Sequence, residues 1–175
     1  MASNDTGREL LRHMLATIAY RGGKTIRGAP EGFGAFLAPG TMNTPLMLLS
    51  HISDLLDWAD RWCRDNDQKF RTAEPADWPG EVARFHAALE RFDSFLASDA
   101  PLTASTPVLL QAPVADALTH VGQLALLRRM SGSPVLGEAY RLAPVEAGRL
   151  GPEQGSPGRE FELDKGAIWL GPPVK

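Results

Sequence analysis

The sequence predicts an all-α protein: an antiparallel four-helix bundle over residues 1–132, followed by a C-terminal arm of irregular chain and short strands over 133–175. Three observations carry this. Four stretches repeat apolar residues at helical spacing. Gly-, Pro- or polar-rich chain that cannot continue a helix separates them. After Ser133 the composition turns to Pro and Gly, with apolar and charged residues alternating around 141–150 and 160–170, a strand-like pattern. The length suits one core rather than two.

The first helix is expected from about Thr6 to Tyr20, where Leu10, Leu11, Met14, Leu15 and Ile18 make one apolar face and Gly22-Gly23 reads as the stop. His13 lies off that face, a surface histidine. Residues 21–43 form a long Gly- and Pro-rich connection whose Phe33, Phe36 and Leu37 pack it down, either as a plain crossover or as cover for one end of a pocket. The second helix starts with Thr44 as N-cap and Pro45 in its first position and runs to about Arg64. Asp54, Asp57, Arg61 and Arg64 read as its solvent face, and His51, Leu55, Trp58 and Trp62 as a single inward stripe.

Residues 65–79 are polar and turn-rich. The third helix is expected from about Trp78 to Ala97, with Val82, Phe85, Leu89, Phe92 and Leu96 on the core face and His86 beside it. Pro101 to Pro107 breaks the chain. The fourth helix occupies about Val114 to Met130, with an N-terminal extension interrupted at Pro113, Arg128 and Arg129 complementing its dipole, and Gly132 ending it. It carries so little charge that it reads as the central helix. The arm, with Trp169 packed into it, is expected to cover the bundle or reach a second copy of the chain, making a homodimer plausible.

A net charge of -3 leaves no basic footprint, which argues against nucleic acid and anionic membrane surfaces as partners. No apolar run approaches the roughly 20 residues that span a bilayer. The N-terminus lacks a basic start followed by an apolar stretch, so no secretory signal is read there. Cys63 is the single cysteine, which fits a reducing compartment, and the cytoplasm is the expected location.

The chemistry concentrates in the fourth helix. Between Asp99 and Arg128, Asp116 is the one Asp, Glu, Lys or Arg, and His120 follows it by a turn on the same face. A buried carboxylate needs a partner or a metal, so the pair reads either as half of a metal site or as a structural Asp–His or Asp–Arg contact. His51 heads an inward stripe on the second helix, and Asp116, His120, Gln123 and Leu127 form one on the fourth. Facing helices build metal sites in bundle cores this way. Two imidazoles and a carboxylate leave coordination positions open for water and substrate; zinc or nickel fit first, iron or manganese next. Gly-x-Gly at 32–34 lacks a third glycine and a preceding strand, no Gly-x-Ser-x-Gly elbow occurs, and Cys63 lacks the surroundings of a thiolate.

The segment Ala117-Leu-Thr-His120-Val-Gly-Gln123-Leu-Ala-Leu-Leu-Arg-Arg-Met-Ser-Gly132 resembles the last bundle helix of the DinB/YfiT-like superfamily, in which a His-x3-His motif is followed by Gly-Gln, an apolar run, Leu-Arg and a terminal Gly. The segment from Thr44 through His51 to Trp58 resembles the helix that supplies that family's first histidine. The resemblance covers roughly residues 6–132. It implies His51 and His120 as metal ligands, with Asp116 where many members carry the first His of the pair. It further implies a metal-dependent enzyme, a transferase using a low-molecular-weight thiol or a hydrolase, acting on a small molecule, with the catalytic groups beyond the ligands unassigned. Gln123 then reads as a partner behind His120 or as packing against backbone, and Trp58, Trp62 and Met47 as pocket lining or plain core. Asp in place of His adds negative charge and lowers Lewis acidity. That departure, with the arm, keeps a second expectation open: a non-catalytic bundle that binds a small ligand or partner, its metal site weak or lost.

Overall fold

The computed structural model describes residues 2–162, with side chains from residue 6, so the Trp169 expectation and the strand expected beyond residue 162 lie outside the described residues. Four helices make an all-α bundle: α1 (Ala2–Ile26), α2 (Pro45–Asp65), α3 (Trp78–Leu96) and α4 over 106–130. No helix among the described residues is long and apolar enough to cross a membrane.

Hydrogen bonds fix the helix directions. Arg8, near the start of α1, donates to the carbonyls of Phe95 and Leu96 at the end of α3, so these two run oppositely. Thr103, just before α4, donates to Trp62 O at the end of α2, so α2 and α4 also run oppositely. Arg84 reaches Ser50 near the start of α2 and Arg64 reaches Arg91 O further along, so α2 and α3 run the same way. The chain must therefore travel the length of α2 again before α3 can begin, and 66–77 is that return. The core lies between the four helices, with Leu15 and Ile18 of α1, Leu49 and Ile52 of α2, Phe85 and Leu89 of α3, and Val114 and Ala117 of α4 all without exposed surface.

α2 begins where its sequence places it: the Thr44 side chain accepts from Met47 N (3.3 Å) and Pro45 occupies the first turn. α1 departs from expectation. It continues through Gly22-Gly23 to Ile26, because Gly22 is where Phe85 presses in: a Cβ there would sit 2.8 Å from Phe85 Cζ. The glycine serves packing between helices rather than termination. The stop comes at Gly28, whose φ of 62° suits a glycine, and Arg128 caps the end by donating to Thr25 O (2.9 Å) and Arg27 O (3.3 Å). Arg128 is thus buried against α1, beyond the dipole role expected of it.

α4 comprises an α-helical turn (Thr106–Leu109), a π turn (Leu110–Val114) and an α-helix (Ala115–Met130) in one continuous run. Pro113 has no N–H and crowds the carbonyl four residues back, and the wider turn absorbs both defects. α4 is not the central helix expected: Ala115, Asp116, Thr119, Gly122, Gln123 and Leu126 are exposed along one side. Apart from Asp116 these side chains are uncharged, and most are small or polar, so a face with little charge need not be a buried one.

The solvent face expected on α2 also needs correction at Asp54, which is buried beneath Arg84 of α3. Of the apolar residues in the 27–44 connection, Phe33 is buried edge-on to Trp78 (5.4 Å), Phe36 is half-buried and Leu37 is exposed.

The arm packs back on the bundle. Its two short strands, β1 (Gly137–Glu138) and β2 (Glu160–Phe161), pair antiparallel, Gly137 opposite Phe161 and Glu138 opposite Glu160. The alternation at 141–150 forms no strand; Pro144 and the positive φ of Gly148 suit turns instead. Tyr20 donates to Glu138 Oε1, and Lys24 donates to Glu138 Oε2 and Glu160 Oε1, each at 2.6 Å. Further on, Leu150 enters the core and its carbonyl lies 2.7 Å from His86 Nδ1. His86 therefore holds the arm, and His13 stays exposed as expected.

Candidate metal centre

The cap at Thr44 sets the start of α2 and thereby places His51 in its second turn, facing α4. Asp116 and His120, one turn apart, follow directly after the π turn. Asp116 Oδ1 lies 3.4 Å from His120 Nε2 and its Oδ2 lies 4.0 Å from His51 Nε2. The two imidazole rings sit edge to face, 4.7 Å between centroids. One donor atom from each of the three residues falls within 4.8 Å of the others.

That spacing is open by on the order of 1 Å relative to the roughly 3.4 Å between neighbouring ligands of a tetrahedral ion held at about 2.0–2.1 Å. The side chains have room to close it, since those of His51, Asp116 and His120 are 34%, 50% and 17% exposed. The donor set, two nitrogens and a carboxylate from two facing helices, fits a borderline divalent ion such as zinc or nickel. Asp116 is half-exposed, so the buried charge expected from sequence is not what draws the three together. Helix packing and the one-turn spacing do that.

Protonation favours ligation. Burial pushes the His51 pKa below the usual histidine value, and the neighbouring His120 adds to this against the opposing pull of Asp116 and Asp54. His51 is therefore neutral at pH 7, with a lone pair to give. His120 Nδ1 lies 2.8 Å from Gln123 Oε1. An amide oxygen only accepts, so Nδ1 carries the proton and Nε2 is left free on the Asp116 side. Gln123 is thus a partner of His120 rather than of backbone.

Of the expected lining residues, Met47 is exposed one turn before His51. Trp58 reaches the site through Phe70, whose ring meets both His51 and Trp58 at 5.6 Å. Trp62 stacks behind Trp58 at 5.3 Å, a ring further away. Cys63 has no exposed surface, and burial pushes its thiol up to about 12, so it is no nucleophile at neutral pH.

Sequence reasoning missed Phe70, Asp54 and Glu81. Asp54 accepts from Ala73 N (3.2 and 3.3 Å) and Glu81 from Ala76 N (2.9 Å), which ties the return segment to α2 and α3. The available signal was Phe70 itself, a lone aromatic in an otherwise polar run.

Comparison with protein-family models, with curated proteins and with solved structures finds no match to this chain.

Proposed function

We propose that this chain is a metal-dependent enzyme of the DinB/YfiT-like kind, acting on a small molecule by thiol transfer or hydrolysis, with His51, Asp116 and His120 holding a divalent ion. The observation that carries the reading is the convergence of three donor atoms from two helices within 4.8 Å. The Gln123 contact and the lowered pKa of His51 support it, since they leave both histidines with free lone pairs. The motifs around His51 and His120 support the family.

When bound, such an ion would lower the pKa of a thiol or water on it. The chain's own residues do the rest. Gln123 fixes the His120 ring, Asp116 spans the two imidazoles, and the half-exposed setting leaves one side open for a substrate. Asp116 also removes one unit of positive charge from the loaded site relative to three neutral ligands.

The test is metal content by elemental mass spectrometry after incubation with zinc, nickel, iron and manganese salts followed by desalting. About one zinc or nickel per chain is expected in the wild type, lost in Asp116→Ala and His120→Ala while circular dichroism stays helical. Absence of metal from the wild type sinks the reading. Gln123→Leu, which leaves the three ligands in place, is expected to weaken metal affinity about 10–100-fold in a competitive chelator titration.

A second reading, a non-catalytic bundle that binds a small ligand, is favoured by a groove of about 390 Å³ between α4 and the arm, where Leu126, Leu136 and Tyr140 line the walls beside Arg129. A bundle that ignores every added metal leaves this reading standing.

A further inference from the structure

The geometry of the return segment points to the substrate class of the proposed site: a molecule whose metal-binding head is joined directly to a flat aromatic group, the ring seated on Phe70. This rests on the metal reading of His51, Asp116 and His120.

Because α2 and α3 run the same way, residues 66–77 climb back along α2 and pass the site. They are tied at both ends of the passage. Trp58 Nε1 donates to Gln68 O (3.1 Å) on one side, and Asp54 accepts from Ala73 N on the other. Phe70 sits between these ties. Its ring meets His51 at 74° and Trp58 at 80°, both edge to face, and it remains 37% exposed. A lone exposed phenyl is ordinary on a protein surface. This one is different in being held against a ligand histidine by a tethered segment and backed by two stacked tryptophans.

Its surroundings extend the apolar border. Met47 is 47% exposed one turn before His51 on α2. A substrate head bound beside His51 would carry its nearest substituent toward this border, where aromatic rings find the edge-to-face and offset contacts they prefer. Asp116 is the one formal charge among the three ligands, so a divalent ion leaves the loaded site at +1 and suits an anionic head such as a thiolate or hydroxamate.

The test compares two ligands with the same head. Benzohydroxamate and acetohydroxamate are titrated calorimetrically into zinc-loaded wild type, Phe70→Ala and Phe70→Tyr. Benzohydroxamate is expected to bind wild type about tenfold more tightly, as one well-seated ring contributes. The ratio should fall toward one in Phe70→Ala and persist in Phe70→Tyr, which keeps the ring. Equal affinities in wild type, or an unchanged ratio in Phe70→Ala, would overturn the inference. The two readings separate cleanly: a protein that holds no zinc removes both, whereas one that holds zinc and binds the two hydroxamates equally removes this one alone.

Discussion

Lys24→Met is expected to lower the unfolding free energy by about 3–5 kcal/mol, because it strands a carboxylate in the protein interior. The Lys24 side chain is 8% exposed and that of Glu138 not at all, so solvent does little to screen the pair. Glu138 would keep the Tyr20 hydroxyl and lose its counter-charge. In a domain of this size the loss corresponds to a melting temperature lower by about 10 °C, measurable by scanning calorimetry or urea unfolding. The double variant Lys24→Met with Glu138→Gln should recover most of it, since a neutral amide still accepts from Tyr20. Burial pulls the Lys24 ammonium down, but its hydrogen bonds to Glu138 and Glu160 outweigh this and raise its pKa above the ordinary 10.5. A raised lysine contributes stability that is complete below its unfolded value and lost as pH climbs through the folded one. The cost of Lys24→Met should therefore stay flat from pH 7 to 9 and shrink only in strong alkali.

Arg84→Met should cost a similar amount, about 3–5 kcal/mol by the same mechanism, and should also reach the candidate site. Arg84 bridges Asp54 and Asp57 of α2, and its Nη1 lies 3.5 Å from Glu81 Oε2, which has no hydrogen bond. Asp54 and Glu81 side chains are 4% and 1% exposed. Both carboxylates also hold the backbone of the return segment, so losing their cation should loosen residues 70–76. Faster amide hydrogen exchange at Ala73 and Ala76 than in wild type checks this; unchanged exchange there would show that Asp54 and Glu81 hold the segment without Arg84. Arg71→Met is the contrast. Its pair with Asp67 leaves the two side chains 48% and 29% exposed, so water and salt screen it and its loss should leave the unfolding midpoint unchanged.

Much of the bundle was legible because it is written locally. Thr44-Pro45 marks the start of α2, and the Phe85, Leu89 and Phe92 spacing marks the buried face of α3; both are properties of a few adjacent turns. The three donors were legible for the same reason: Asp116 and His120 share a helix face, and His51 follows the cap by a fixed number of residues. What escaped was decided at a distance. Gly22-Gly23 looks like a stop until Phe85 is brought against it. Asp54 looks like a surface charge until Arg84, 30 residues on, covers it. The burial of Lys24 depends on Glu138 and Glu160, more than a hundred residues away. Asp116 shows a right grouping reached through a wrong premise: the sparsity of charge on α4 reads as burial, whereas its face over 115–126 is exposed and carries Asp116 as its one charge. Phe70 stands out in 66–77 as a lone aromatic in a polar run, but its place beside His51 comes from the direction in which α3 runs, which no local pattern there encodes.

The π turn in α4 separates two quantities that a motif search treats as one. The Asp-x3-His spacing fixes how the two side chains sit relative to each other, and the turn upstream fixes which neighbour they address. A π turn holds one residue more than an α turn yet closes the same full circle, so the helix beyond it lies about 100° behind where an unbroken α-helix of this sequence would put it. A regular α turn of the same length would swing Asp116 and His120 together away from His51 with every ligand still spelled out in the sequence, whereas deleting one residue between 110 and 114 would close the π turn to an α turn and leave both facing His51. In a lineage built on this fold, the chain between Thr106 and Asp116 could thus gain or lose one codon with the site intact, provided the turn changes between π and α with it.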